Sequence, residues 1–332
     1  MKMVHLITAL IIVAIVLAVV LFFLKVEKKP TTKVHRVGVL CGLTYLTEII
    51  NGLKNKMKEL GYTEGVEIVY DIETTEFNPQ NYRNAIQKFL DEKVDVIVVF
   101  PTEAAMEAKS MIIGTGIQEI FVFANIEDTG LVDSISRPGN NITGVRYPGP
   151  DIALKRMEIT LQLVPGATRI LVPYQRGYPI VRSQLSVIKE FAEEKGIRII
   201  ELPADNSTEL EQSLYSLDAS KIDAILAIAE PLLVTPDAFS VLCNFAMKNK
   251  IPIGGAYIKV GDCESIFGVN VDIYSAGRDA AILLDKVLKG ENAGEIPVIT
   301  SESYFEISPR AAQNIGIIIP ESLLNSANKI IY

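Results

Sequence analysis

The stretch from residue 94 to residue 123, VDVIVVFPTEAAMEAKSMIIGTGIQEIFVF, decides the fold class. Residues 94–100 form a short, nearly unbroken apolar run, which reads as a strand covered on both faces. Thr102 can cap a helix running to residue 113, and residues 120–123 are apolar again. A buried strand, a helix and a second buried strand in close succession make a parallel βαβ unit.

The same alternation extends in both directions. Upstream, strands at 37–40 and 67–72 flank a helix whose apolar positions Leu46, Ile49, Leu53, Met57 and Leu60 recur every three or four residues. A further helix at 78–90 has Asn78 to cap it and Pro79 in its first turn. The turn cluster at 137–141 breaks the rhythm, and a strand at 142–145 resumes it. Beyond it, helices at 152–163, 180–195, 209–217 and 236–248 alternate with strands at 169–172, 197–202, 224–228 and 251–253. A strand at 266–269, a helix at 275–289 and a strand near 304–307 close the series. Two such series imply an α/β protein of two doubly wound parallel-sheet lobes. Ligands of such sheets bind beyond the carboxyl ends of the strands, so the expected site is a cleft between the lobes.

Composition narrows the function. With 32 basic and 40 acidic side chains the net charge is −8, and an acidic surface repels phosphate backbones. Nucleic acid is therefore not an expected partner. The two histidines, His5 and His35, both lie at the N-terminal end, which argues against a His-based zinc centre or a Ser-His-Asp triad. No Gly-rich phosphate loop, nucleophile elbow or metal-ligand cluster occurs. The reading is a protein that is not an enzyme and uses no cofactor and no metal.

Residues 4–24 are apolar apart from His5 and Thr8, long enough for a transmembrane helix. The expectation is an N-terminal membrane anchor over 1–26, uncleaved, and a polar linker over 27–34. Lobe 1 then takes 35–146 plus 270–298, and lobe 2 takes 147–269 plus 299–332.

Arg137-Pro138-Gly139-Asn140-Asn141-Ile142-Thr143-Gly144-Val145 carries a family resemblance. Together with LGYTEG at 60–65, PTEAA at 101–105, GRDAA at 277–281, Leu288-Lys289-Gly290, Ile296-Pro297, and Ala312 with GIIIP at 316–320, it resembles the substrate-binding proteins of ABC-type importers. Those have the type 1 periplasmic-binding fold. The resemblance implies import of a small solute, often an amino acid, with a separate membrane permease and ATPase as partners. It also implies a binding domain outside the cell. The positive-inside rule, applied to Lys25, Lys28, Lys29 and Lys33, points the other way. The chain departs from the family after three strands: at Gln175-Arg176-Gly177, at Glu230-Pro231, and in the shortened loop 127–130.

Candidate ligand-binding residues follow from strand ends, and each has an ordinary reading beside the functional one. Gly42, Thr44 and Tyr45 open the first helix, where free N–H groups hold a carboxylate or simply form a loop. Thr102 binds a ligand oxygen or caps its helix. Glu103 and Asp128 meet an ammonium or favour helix N-termini. Tyr174, Gln175 and Arg176 follow one strand of lobe 2: Tyr174 covers a ligand, and Arg176 pairs with a carboxylate or with solvent. Glu230 takes a ligand amine, and Tyr257 forms a wall. Asn270 and Asp272 reach the cleft or cap the next helix. Cys243 and Cys263 either pair at one edge of lobe 2 or remain two thiols. The alternative to an importer component is a membrane-anchored extracellular sensor with the same fold.

Overall fold

The computed structural model describes residues 33–332. The chain begins with β1 (His35–Cys41), α1 (Glu48–Glu59), β2 (Ile68–Thr74), α2 (Pro79–Asp91), β3 (Val96–Phe100), α3 (Thr102–Ile112), β4 (Gln118–Ala124) and β5 (Ile142–Arg146). It continues through α4 (Gly149–Leu163), β6 (Arg169–Gln175), α5 (Val181–Glu194), β7 (Arg198–Ala204), α6 (Ser207–Ser216), β8 (Ala224–Ala227), α7 (Pro231–Val234) and α8 (Pro236–Asn249). Then come β9 (Ile253–Gly255), β10 (Lys259–Val260), β11 (Cys263–Glu264), β12 (Phe267–Val271), α9 (Ile273–Leu288) and β13 (Ile299–Thr300). The end holds β14 (Ser303–Ile307), α10 (Pro309–Asn314), α11 (Glu321–Ser326) and β15 (Lys329–Ile330).

The strands form two large sheets. One has the order β13-β5-β4-β3-β1-β2 and is parallel throughout. The other has the order β15-β14-β12-β9-β8-β6-β7, with β14 antiparallel to β12. The chain passes between the sheets after β5, after β12 and after β13.

Alternation of side chains along the first sheet divides its core into two layers. Val37, Val39, Val96, Val98, Ile120 and Val122 pack under α1 and α9. Leu40, Ile97, Val99 and Phe121 face the opposite way, against Tyr82, Ile86 and Phe89 of α2 and Ala104, Ala105 and Ala108 of α3. Helices α1 and α9 touch backbone to backbone. A Cβ on Gly52 would lie 2.0 Å from the Tyr274 carbonyl oxygen, and one on Gly277 would lie 2.1 Å from that of Ile49.

The expected membrane anchor lies outside the described residues. Among the described residues no helix is long and apolar enough to cross a membrane. The longest, α9, has 16 residues, a rise of about 24 Å against the roughly 30 Å of a hydrocarbon core. It also carries Arg278, Asp279, Asp285 and Lys286. Among the described residues this corrects the expected architecture to two α/β lobes without a membrane helix. No described element supports the expected single-pass anchor, the partnership with a membrane through it, or the placement built on it.

Two local features differ from the expectations. The first helix starts at Glu48, and Leu46 belongs to a preceding 3-10 turn. The hairpin β10–β11 has two residues per strand, too few for an alternating pattern to show. This hairpin is fastened to α8 by a disulfide between Cys243 and Cys263, whose Cα atoms are 6.3 Å apart. The remaining thiol, Cys41, is buried.

The bridge closes a loop with a sequence separation of 20. Chain entropy assigns about 3 kcal/mol to a loop of that length. Reduction, or the paired change Cys243→Ser with Cys263→Ser, is expected to lower the unfolding free energy by that amount, measured by urea unfolding as an earlier midpoint.

Candidate ligand-binding cleft

Between the two sheets lies a narrow, partly open cleft. Every wall comes from a segment just beyond the carboxyl end of a parallel strand. Leu43, Tyr45 and Leu46 follow β1, Phe77 follows β2, and Pro101 and Thr102 follow β3. Phe123 and Asn125 stand at the end of β4, and Tyr147 follows β5. From the other sheet come Tyr178 and Ile180 after β6, Ala229, Glu230, Pro231 and Val234 after β8, and Tyr257 after β9. Parallel strands aim all of these ends at one gap.

The wall is mainly apolar and carries six aromatic rings, some of which meet across the gap. Tyr45 stands edge-on to Tyr257 with centroids 6.1 Å apart, and Phe77 stands edge-on to Tyr178 at 6.3 Å. Phe123 and Tyr147 are tilted together at 4.8 Å. These contacts join residues of the two lobes, or residues on either side of the first crossing.

The polar groups are few. The Thr102 hydroxyl, 5% exposed, accepts from the Asn125 backbone N–H at 3.0 Å, so it ties the ends of β3 and β4 together. The Asn125 Oδ1 is buried with no hydrogen-bond partner among the described residues. Glu230, 3% exposed, caps α7: its carboxylate accepts from Leu232 N at 2.7 Å and Leu233 N at 2.9 Å. Burial outweighs these bonds and pushes its pKa up to about 7. Glu103 lies behind the Tyr178 phenol, and burial pushes its carboxyl up as well.

Of the residues named from the sequence, Tyr45, Thr102, Glu230 and Tyr257 line the cleft. Gly42 is buried just beneath it, and its carbonyl accepts from the Tyr82 hydroxyl at 3.1 Å. Thr44 is exposed and its N–H donates to Glu76 at 3.2 Å. Asp128 and Tyr174 border a neighbouring open depression, where Tyr174 donates to Glu201 at 2.9 Å. The Gln175 Oε1 is buried without a hydrogen-bond partner among the described residues. Arg176 does not reach the cleft, because it pairs with Asp205 and Glu209. The Asn270 Oδ1 accepts from Val271 N, and Asp272 caps α9 by accepting from Ser275 N at 3.1 Å.

Sequence reasoning passed over Phe77, Phe123, Asn125, Tyr147 and Tyr178. Each lies within a few residues of a strand's carboxyl end, so the rule that found Thr102 and Glu230 would have found them too. It also passed over Arg156, which sits in the middle of α4, where no strand-end rule looks.

Comparison with known proteins agrees with this geometry. A family profile described as ABC transporter substrate binding protein matches residues 37–331. A protein named tyrosine-binding protein, from Clostridioides difficile, is 26% identical over 277 residues, spanning 82% of this chain and 78% of that protein. The crystal structure of a conserved domain protein from Vibrio cholerae is 25% identical, with a TM-score of 0.78 over 90% of this chain and 100% of that one. A structure from Streptococcus pneumonia, described as an ABC domain in complex with L-Trp, is 23% identical, with a TM-score of 0.77 over the same shares. A chain whose described lobes are matched almost end to end by one profile, and whose strand ends converge on one cleft, belongs to the ABC transporter substrate-binding protein family, as the substrate-binding component of an ABC-type importer.

Proposed function

We propose that the cleft binds a small aromatic amino acid or a close analogue, and that the lobes close over it about the three chain crossings. In this reading the lobes divide as 35–146 with 270–298 and 147–269 with 299–332. The crossings near Arg146, Val271 and Thr300 act as the hinge. The observation that carries the reading is the facing of Tyr45 and Phe77 from one lobe against Tyr257 and Tyr178 from the other. Aromatic walls on both sides suit a flat ring, and closure is what brings them together. The likeness to a tyrosine-binding protein supports the same class. Glu230 is the acidic group that a ligand ammonium meets, and Thr102 offers a hydroxyl.

The test is thermal unfolding of the purified protein with tyrosine, tryptophan, phenylalanine, leucine and glutamate. A ligand at a hundred times its Kd is expected to add about 2.7 kcal/mol by mass action. The aromatic amino acids should raise the midpoint in a saturable way, and glutamate should not. A shift with no aromatic compound would overturn the reading. Tyr257→Ala should abolish the shift while the unliganded protein still unfolds cooperatively.

A further inference from the structure

Arg156 has the largest fully buried side chain among the described residues, with no exposed surface at all. Its guanidinium makes three hydrogen bonds, all to neutral acceptors. Nε donates to the Val269 carbonyl at 2.8 Å, Nη1 to Gln184 Oε1 at 3.3 Å, and Nη2 to the Tyr147 hydroxyl at 2.6 Å. Among the described residues no carboxylate pairs with it. Arginine keeps its proton in proteins, and a buried ion without a counter-ion costs several kcal/mol. Packing alone does not call for a charge here, since an unbranched apolar side chain such as methionine avoids that cost.

Its neighbours connect it to the cleft. Tyr147 lines the cleft wall and accepts from Arg156, so the phenol's own proton is left for another acceptor. Gln184 also donates from Nε2 to the Ala229 carbonyl at 2.9 Å, one residue before Glu230. A fixed positive charge and an acidic side chain thus flank the same part of the cleft, joined through Gln184 and Ala229. The phenols of Tyr45, Tyr147 and Tyr257 gather there. After burial, the first two are the largest causes that hold the Tyr257 hydroxyl well above its ordinary range.

We propose that Arg156 supplies the counter-charge for the ligand's carboxylate, relayed through the Tyr147 hydroxyl, so that the cleft selects ligands carrying an anionic group beside an ammonium. The inference rests on the aromatic amino-acid reading of this cleft and deepens it. Arg156 acts through Tyr147 and is a positioning residue. A neutral hydroxyl alone is a modest partner for a carboxylate; a hydroxyl polarised by a buried guanidinium is a stronger one, because hydrogen bonds in a chain reinforce one another at low dielectric.

The experiment is calorimetric titration of the full chain with L-tyrosine and L-tryptophan, their carboxamides, and tyramine and tryptamine. In the wild type the carboxamides and amines should bind at least about 100-fold more weakly than the amino acids, the order expected when a buried charged group loses its partner. Arg156→Gln should narrow that gap by about tenfold or more, mainly by weakening the amino acids. Arg156→Lys should restore part of it, and Tyr147→Phe should narrow it as well. A purely structural role would weaken every ligand alike and leave the ratio unmoved, which overturns the proposal. Equal wild-type affinity for amino acid and carboxamide overturns it without any variant. If Arg156→Gln does not fold, the wild-type series and Tyr147→Phe decide the matter. Failure of all the aromatic compounds to bind would overturn the parent reading and this one with it, whereas tight carboxamide binding would overturn this one alone.

Discussion

Raising the pH from about 4.5 to about 7.5 is expected to remove roughly 3 kcal/mol of stability through Glu230 alone, and Glu230→Gln should take that share out of the slope. The cause is desolvation. Glu230 has an ordinary value of 4.5 and a folded value of about 7, and each unit is worth about 1.4 kcal/mol. The folded value is raised, so the contribution to stability is fully present below the unfolded pKa and is lost as pH rises through the folded one. At high pH the folded state must hold a buried carboxylate that the unfolded chain leaves in water. Glu103 and the fully buried Glu119, both pushed up by burial, act with the same sign. Urea unfolding at several pH values measures the slope. A ligand ammonium beside Glu230 favours the ionised form, so the proposed ligand should bind more tightly and release protons as pH rises toward 7. Stability and affinity would then move in opposite directions over one pH window.

Gly277→Ala is expected to cost about 3 kcal/mol or more, and Gly52→Ala a similar amount. Each added Cβ would sit about 2 Å from a carbonyl oxygen of the facing helix, far inside van der Waals contact. A flexible side chain could step aside, but a backbone carbonyl inside a packed helix cannot without moving the helix. The usual cost of overpacking is 1–3 kcal/mol, and backbone contact places these substitutions at or above the top of that range. The two glycines serve one interface, so the double variant should cost less than the sum. Chemical unfolding of the three variants measures this. Because α9 lies between the second and third crossings, its displacement should also weaken ligand binding, through the hinge and not through any contact with the ligand.

Gly277 shows how a motif can be visible in sequence while its reason is not. GRDAA carries part of the family resemblance, yet only the packing of α9 on α1 explains the glycine. The same holds at strand ends. Thr102 and Glu230 were legible because each directly follows an apolar run. Tyr178 and Phe77 stand three residues past the observed strand ends, Gln175 and Thr74, but the apolar runs visible in sequence stop earlier, near residues 172 and 72, so the rule was applied too soon along the chain. Arg176 was a reasonable candidate for a carboxylate partner, but its neighbours Asp205 and Glu209 claim it. Sequence spacing does not reveal that β7 and α6 bring those acids alongside.

What the sequence determined by itself is the class and the kin of this protein. Strand-length apolar runs alternating with amphipathic helices admit parallel sheets and little else, because backbone hydrogen bonding and side-chain period are local properties. The RPGNNITGV run with the closing block carried the family, and the scarcity of histidine argued against most catalytic centres. What only the tertiary structure decided is convergence. Tyr45, Phe77, Tyr147, Tyr178 and Tyr257 lie far apart along the chain and meet because two sheets present their carboxyl ends to one gap. The pairing of Cys243 with Cys263 depends on where one short hairpin lands on α8. The burial of Arg156 depends on which face of α4 lies against β12 and α5. These are long-range facts, set by packing that no local window of residues contains.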